Sequence, residues 1–331
     1  MKICPTCQAT YTQDAMECPR DHTPLQASDV WPEGTIVEGK YRILGIIGQD
    51  LACTVYKAVR LRAEQPRALK VLNKSLADKP DFVEVFKLEA RERKKLRHAN
   101  VARVESIETS DGRPFIVMEY AQGRTLKGII EHEAPLPPRR ACGLARQIAA
   151  GLGAAHAMRI LHRDLKPASV FVTSGKKSEV VKLLGFGTSR LKEILVGDHF
   201  RTSPEAVIGS FQYLSPEQAL GKFGEEMDGR ADLYSLGVIL YQMLSGHLPF
   251  KATEAADWMT AHILQTPTMI GSAYPDLAIP DALSKLVAKC MEKNPALRPA
   301  SAKKLIREIE QVEKGLAQSG GTGHGWKFWL F

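Results

Sequence analysis

The sequence has no run of about 18 apolar residues, which excludes a complete membrane-spanning helix within it. It opens Met1-Lys2-Ile3-Cys4-Pro5, without the apolar core run of a secretory leader. Cysteine is scarce, six in 331 residues, and three of the six fall among the first 18. That spacing excludes a disulfide framework spread over the chain and makes a reducing cytoplasm the expected compartment. Lys and Arg are spread along the chain, clustering only briefly, as at Arg91 to Arg97. The net charge of +8 therefore reads as solubility, with a mild attraction to acidic partners or an anionic membrane surface. Nucleic acid is not an expected partner. What is present, 44% hydrophobic and 25% charged residues, suits one or two globular domains with sizeable cores.

Residues 1–26 read as a separate small module. Cys4-Pro5-Thr6-Cys7 is a tight CxxC turn, and Cys18-Pro19-Arg20-Asp21-His22 follows it. Two thiolates on one knuckle chelate Zn²⁺ well. Cys18 would be the third ligand. Register favours Asp21 as the fourth, whereas ligand chemistry favours His22. A stretch this short buries too little to fold alone, so the metal would supply the folding energy. A metal-free relic and a disordered tail with stray cysteines are the plainer alternatives. Residues 27–35 read as a linker.

From Tyr41 the pattern changes. Tyr41–Ile47, Thr54–Val59 and Arg67–Leu72 are short β-rich runs. Asp81–Arg97 reads as a helix, acidic early and basic late, as the macrodipole prefers. Phe115–Tyr120 reads as a buried strand. Pro137–Arg159 gives a long helix with a core stripe at Leu144, Ile148, Leu152 and Ala155. Val170–Val172 is a further strand, and 233–247 and 281–312 read as helical. The end, 313–331, is Gly/Ser-rich and closes on Trp326-Lys327-Phe328-Trp329-Leu330-Phe331. Six residues do not span a bilayer, but two Trp beside a Lys suit its interface. A tail packed on protein and the start of a longer apolar segment are the other two readings.

The most informative stretch is His162-Arg163-Asp164-Leu165-Lys166-Pro167, followed by Gly185-Phe186-Gly187. With Lys70 in Ala68-Leu69-Lys70, Glu89 nineteen residues later, and Ser215-Pro216-Glu217, this resembles the bacterial serine/threonine protein kinases of the eukaryotic type. The resemblance covers roughly residues 36–312. It implies an α+β, bilobal kinase fold with a β-rich N-lobe over 36–120 and a helical C-lobe over 121–312. It implies Asp164 as the base for a substrate hydroxyl and Lys166 as the neutraliser of the moving phosphoryl group. For ATP it implies Lys70 paired with Glu89, Gly48 in the phosphate loop, and Val55, Ala68 and Phe171 against adenine. Main-chain groups of Glu119 and Ala121 would bond adenine, with Met118 as gatekeeper, and Ser169 falls at a metal-ligand position. Asp232 is expected to hold the catalytic loop by its amides, and Glu217 to pair with Arg298.

The chain also departs from that pattern. Ser169 stands where the family has Asn, and Gly185 where it has a metal-binding Asp. Of the glycines in the phosphate loop only Gly48 survives; Asp50 and Cys53 replace the others. Asp50 would repel a triphosphate. Losing both protein ligands weakens any Mg²⁺ site, since phosphoryl transfer leans on that metal. Asp50 or Glu179 would be the substitutes in an enzyme with an unusual metal arrangement. Arg93 lies one turn after Glu89 on the same face. It either reaches back to Glu89, competing with Lys70, or the helix turns to put it in solvent. The expectation is a pseudokinase that signals through a protein partner, with a homodimer among the partners a platform admits and peripheral membrane contact through the aromatic end. The alternative is an ATP-dependent kinase acting on protein substrates.

Overall fold

A computed structural model describes residues 2–3, 10–11, 15–27, 30–50, 52–174, 178–186, 211–222 and 226–319. The chain divides into two compact units. The first holds the described residues up to Lys95 together with Arg103–Tyr120; the second holds Leu96–Ala102 and the described residues from Ala121 onward.

Three two-residue strands, β1 (Lys2–Ile3), β2 (Thr10–Tyr11) and β3 (Gln26–Ala27), form a small antiparallel sheet at the start of the first unit. The main sheet has six antiparallel strands: β4 (Ile36–Val37), β5 (Tyr41–Gln49), β6 (Cys53–Arg60), β7 (Gln65–Leu72), β8 (Val104–Ser110) and β9 (Arg113–Glu119). Their order is β4-β5-β6-β7-β9-β8. The period-2 alternation of strands sorts the side chains. Leu69, Val71, Phe115 and Val117 join Tyr41, Ile43 and Tyr56 on one face. Ala68, Leu72, Ile116 and Met118 join Phe86 and Ala90 of the helix α2 (Pro80–Lys94) on the other. Trp31, within the stretch read as a linker, lies on the first face: the Tyr56 hydroxyl accepts its main-chain amide at 2.9 Å, and Arg113 stacks on its ring at 4.7 Å.

Helix α1 (Lys74–Ala77) precedes α2 (Pro80–Lys94). Pro at the first turn, Asp81 early and Arg91, Arg93 and Lys94 late give α2 the expected polarity. It ends three residues before the expected Arg97, because Leu96 already belongs to the second unit's core. Its buried stripe is Phe86, Glu89, Ala90 and Arg93, at the i, i+3, i+4, i+7 spacing of one face. Two of those four are charged, so this face carries chemistry or a compensated ion pair as well as packing.

The second unit begins with β10 (Arg124–Thr125), which pairs with β11 (Val170–Ser174), itself paired with β12 (Glu179–Leu183). Among its described residues the helices are α3 (Leu126–Glu133), α4 (Pro138–His156), α5 (Pro216–Ala219), α6 (Arg230–Ser245), α7 (Ala255–Leu264), α8 (Ile270–Ala273), α9 (Asp281–Cys290) and α10 (Ala302–Ser319). The expected stripe of α4, Leu144, Ile148, Leu152 and Ala155, is buried. Helix α6 is buried almost all round, as the central helix of a helical layer must be. The span 281–312 is two helices, α9 and α10, parted by a 3-10 turn over Pro295–Leu297. Among the described residues no helix is long and apolar enough to cross a membrane, and the aromatic end lies outside them.

Candidate active site

In the first unit, β7 places Lys70 between Val55 of β6 and Ile116 of β9, on the face that α2 covers. Lys70 and Glu89 are both buried, 7% and 5% exposed. Arg93 is buried as well, and its Nε donates to the main-chain oxygen of Glu89 at 3.3 Å. Burial lowers the guanidinium to about 10, against the pull of the Glu89 carboxylate and of Cys53. Arg93 therefore lies inward, and this bond goes to the Glu89 main chain, not to the carboxylate for which competition with Lys70 is expected from the sequence. The outward course, a helix turned to put Arg93 in solvent, is not what the fold adopts. The Glu89 charge one turn away offsets only part of the desolvation of the head.

Gly48 pairs with Val55, and the turn from β5 to β6 begins one pair later, after Gln49 and Thr54. Asp50 is its organising residue. One carboxylate oxygen, Oδ1, accepts the amides of Ala52 at 2.9 Å and Cys53 at 2.8 Å. Its own amide donates to the Cys53 oxygen at 2.9 Å. Asn73, after β7, fastens the turn from outside: its Nδ2 donates to the Asp50 main-chain oxygen at 3.1 Å, and its Oδ1 accepts from Thr54 at 3.0 Å. Sequence reading missed Asn73, since nothing local to it signals a partner 23 residues back. Ala68 of β7 pairs with Met118 of β9, and the Glu119 amide donates to the oxygen of Arg103, just before β8, at 2.9 Å. Ala121 is buried and opens the second unit.

In the second unit the catalytic loop is held from several sides. Asp232, buried on α6, accepts the amides of His162 and Arg163, each at 2.9 Å, as expected. His156 of α4, a partner the sequence did not reveal, lies at 2.7 Å from the same carboxylate. Burial pushes the Asp232 carboxyl up, but the His156 hydrogen bond and the neighbouring imidazole charges outweigh it and hold the group below its ordinary value. Arg163 adopts a left-handed φ of 62°, and its oxygen accepts from Gln218 at 2.7 Å. Glu217 and Arg298 form the expected pair, with two bonds of 2.7 and 2.8 Å. Asp164 and Lys166 are partly exposed and lie 3.2 Å apart. A base and a cation in that relation suit a hydroxyl acceptor. Beside them, a cavity of about 460 Å³ is lined by Lys127, Glu131, Lys166, Pro167 and Tyr213.

The metal positions read differently. Ser169 Oγ donates to the Lys166 oxygen at 2.8 Å and accepts its amide at 3.1 Å. The hydroxyl thus closes its own loop. Gly185 has a φ of 88°, and a Cβ placed there would sit 3.5 Å from the His162 ring. Its neighbours are fixed around that ring: His162 Nε2 lies 2.8 Å from the Leu184 oxygen, and the His162 and Phe186 rings are 4.5 Å apart. Glu179, one candidate substitute carboxylate, is held by Arg140 at 3.0 and 2.7 Å. Asp50, the other, is turned into its own turn. A hard divalent cation needs several oxygen ligands, and these residues do not fit one. Phe171 on β11 is partly buried, opposite Lys182 and Thr125 in register.

Of the expected zinc ligands, Cys4 and Cys7 lie outside the described residues. Cys18 is buried; its sulfur lies 3.1 Å from the Tyr11 hydroxyl and accepts the Arg20 amide at 3.4 Å. Burial raises this thiol, yet the bonds from Tyr11 and the main chain outweigh it and lower its pKa. Asp21 Oδ1 accepts the Thr23 amide at 3.0 Å, and His22 faces Glu17 at 3.5 Å. Among the described residues no group of three or more His, Cys, Asp or Glu is placed to hold a metal.

Comparison with known proteins agrees with this architecture. A family model described as "Protein kinase domain" matches residues 41–309. The serine/threonine-protein kinase pkn3 of Myxococcus xanthus is 34% identical over 283 residues, covering 85% of this chain and 51% of that protein. The serine/threonine-protein kinase PknB of Mycobacterium leprae is 32% identical over 280 residues, covering 83% of this chain and 43% of that protein. The chain thus spans about half the length, or less, of these relatives. The crystal structure of the Mycobacterium tuberculosis PknI kinase domain is similar in fold, with a TM-score of 0.64 at 25% identity, over 85% of this chain and 99% of that one.

Proposed function

The chain belongs to the protein kinase family, among relatives that are bacterial serine/threonine kinases, and from that premise we propose that it is a pseudokinase. Its role is to signal through a protein partner, with weak or absent phosphoryl transfer. The observation that carries this reading is Ser169. Its hydroxyl closes the catalytic loop on itself at the position from which the family holds a metal, and Gly185 offers no side chain at the other. Asp164 and Lys166 keep their relation because main-chain and core partners hold the loop, whatever happens at a metal. A bound metal would supply charge neutralisation at the phosphates; this chain's residues orient a hydroxyl without supplying that.

The test is a transfer assay with ATP, Mg²⁺ and a mixture of serine and threonine peptides. The unmodified chain is expected to match Asp164→Asn at background. Robust transfer that Asp164→Asn abolishes would instead establish a working kinase.

The same reading takes residues 1–26 as a zinc-ribbon-like module, 27–35 as its connection, 36–312 as the kinase-like body and 313–331 as a tail whose aromatic end touches a membrane surface. Cys18 supports the first of these. A sulfur that accepts main-chain amides is prepared as a thiolate ligand. Asp21 is close enough to Cys18 to bear on its proton, whereas His22 turns toward Glu17, so Asp21 is the fourth ligand of choice. Elemental analysis should find about one zinc per chain, lost in Cys18→Ser.

A further inference from the structure

In the first unit, the groups that a nucleotide would meet are of two kinds. Val55, Ala68 and Met118 give apolar surface on the α2 face of the sheet. The turn after Gly48 gives backbone amides, which favour an anion, and an anion already sits on them. Asp50 Oδ1 takes the amides of Ala52 and Cys53 at 2.9 and 2.8 Å. Two successive N–H groups converging on one charged oxygen are what a phosphate-binding turn presents to its ligand.

The carboxylate is also held in place. Asn73 bonds the Asp50 main-chain oxygen and, through Thr54, the start of β6. Ala52 and Cys53 are fully buried, so the turn is part of the core on its inner side. A triphosphate reaching these amides would have to displace a tethered competitor, present at high effective concentration, and would meet its charge. A ligand without phosphates meets neither cost.

We propose that Asp50 is an intramolecular surrogate for phosphate, and that the ligand class this unit accepts is an uncharged adenine-like heterocycle or nucleoside instead of a nucleoside triphosphate. The proposal rests on the pseudokinase reading and adds to it the chemistry of what still binds.

The experiment is calorimetric titration of the full chain with adenosine and, separately, with ATP in EDTA. The unmodified chain should bind adenosine at least about ten-fold more tightly than ATP, the scale of one charge-assisted bond. Asp50→Gly should tighten ATP by about ten-fold and leave adenosine within about two-fold. Asp50→Asn keeps the acceptor oxygen and the turn but removes the charge, so its gain for ATP should be smaller, about three-fold. If the unmodified chain binds ATP as tightly as adenosine, or if both variants leave the ratio unchanged, the surrogate is wrong. Failure of every form to bind adenosine also overturns it. Because the titrations contain no metal, phosphate transfer with this affinity ratio intact would overturn the pseudokinase reading alone.

Discussion

Asp232 and Asp50 are carboxylates with the same local bonding and opposite consequences. Asp232 collects the amides of His162 and Arg163 at 2.9 Å each; Asp50 collects those of Ala52 and Cys53 at 2.9 and 2.8 Å. The first holds open the shape of a catalytic loop and leaves Asp164 and Lys166 facing out. The second closes the turn that would receive phosphate. Positions whose partners lie in their own unit's core have kept the family's chemistry: Asp232, Glu217 and Arg298. Positions whose partner would be a metal or a phosphate have turned to protein partners instead: Ser169 to Lys166 and Asp50 to its own turn. A polar group with no external ligand must find an internal one, since leaving it buried and unmet costs more than the bond returns.

The comparison predicts unequal costs. Asp232→Ala should be the most damaging change, about 3–5 kcal/mol by urea unfolding, because two amides and His156 lose a fully buried charge. A loss as small as that of Asp50→Ala would erase the distinction between the two carboxylates.

Acid should weaken the second unit next. His262 is buried against Tyr234, whose hydroxyl lies 2.9 Å from Nδ1, and near the Lys293 cation. Burial, helped by that cation, lowers its pKa from 6.5 to about 4. The unfolded chain therefore binds the proton first. Stability is full above the unfolded value and falls as pH drops from about 6.5 toward 4, by an amount on the order of 3 kcal/mol. Urea unfolding at pH 7 and pH 4.5 reads this, and His262→Gln should flatten the difference. An unchanged slope in that variant would assign the acid loss to other groups.

Gly185→Asp returns the family's residue but forces a side chain onto a φ of 88°. It should cost about 1–2 kcal/mol and give no transfer alone, because the Ser169 hydroxyl still bonds Lys166. Transfer restored by this one change would mean that the loop relaxes more easily than its bonding to Ser169 and His162 implies.

Asp50→Ala should cost least, about 1 kcal/mol, as the loss of a capping carboxylate on a half-exposed turn does. Amide exchange at Ala52 and Cys53 should quicken while that of β7 stays slow. Exchange that quickens through the whole sheet would make Asp50 a core residue like Asp232.

Much of this molecule was legible in the chain itself. Strands β5 to β7 and β9 and helices α2, α4 and α6 follow from period and capping, which depend on neighbours in sequence. The scaffold residues Asp232, Glu217 and Arg298, with partners 70 and 81 residues away, came from the resemblance to the kinase family. What the sequence could not decide is where each substituted side chain would turn. Asp50 read as a repulsive charge or a spare metal ligand until Asn73, 23 residues on, fixed its turn. Glu179 remained a candidate ligand until Arg140, 39 residues away, claimed both its oxygens. Arg93 had two courses open, and only the packing of α2 on the sheet chose burial. A side chain's rotamer is set by whichever partner offers the best-satisfied bond, and that partner is brought near only when the fold closes.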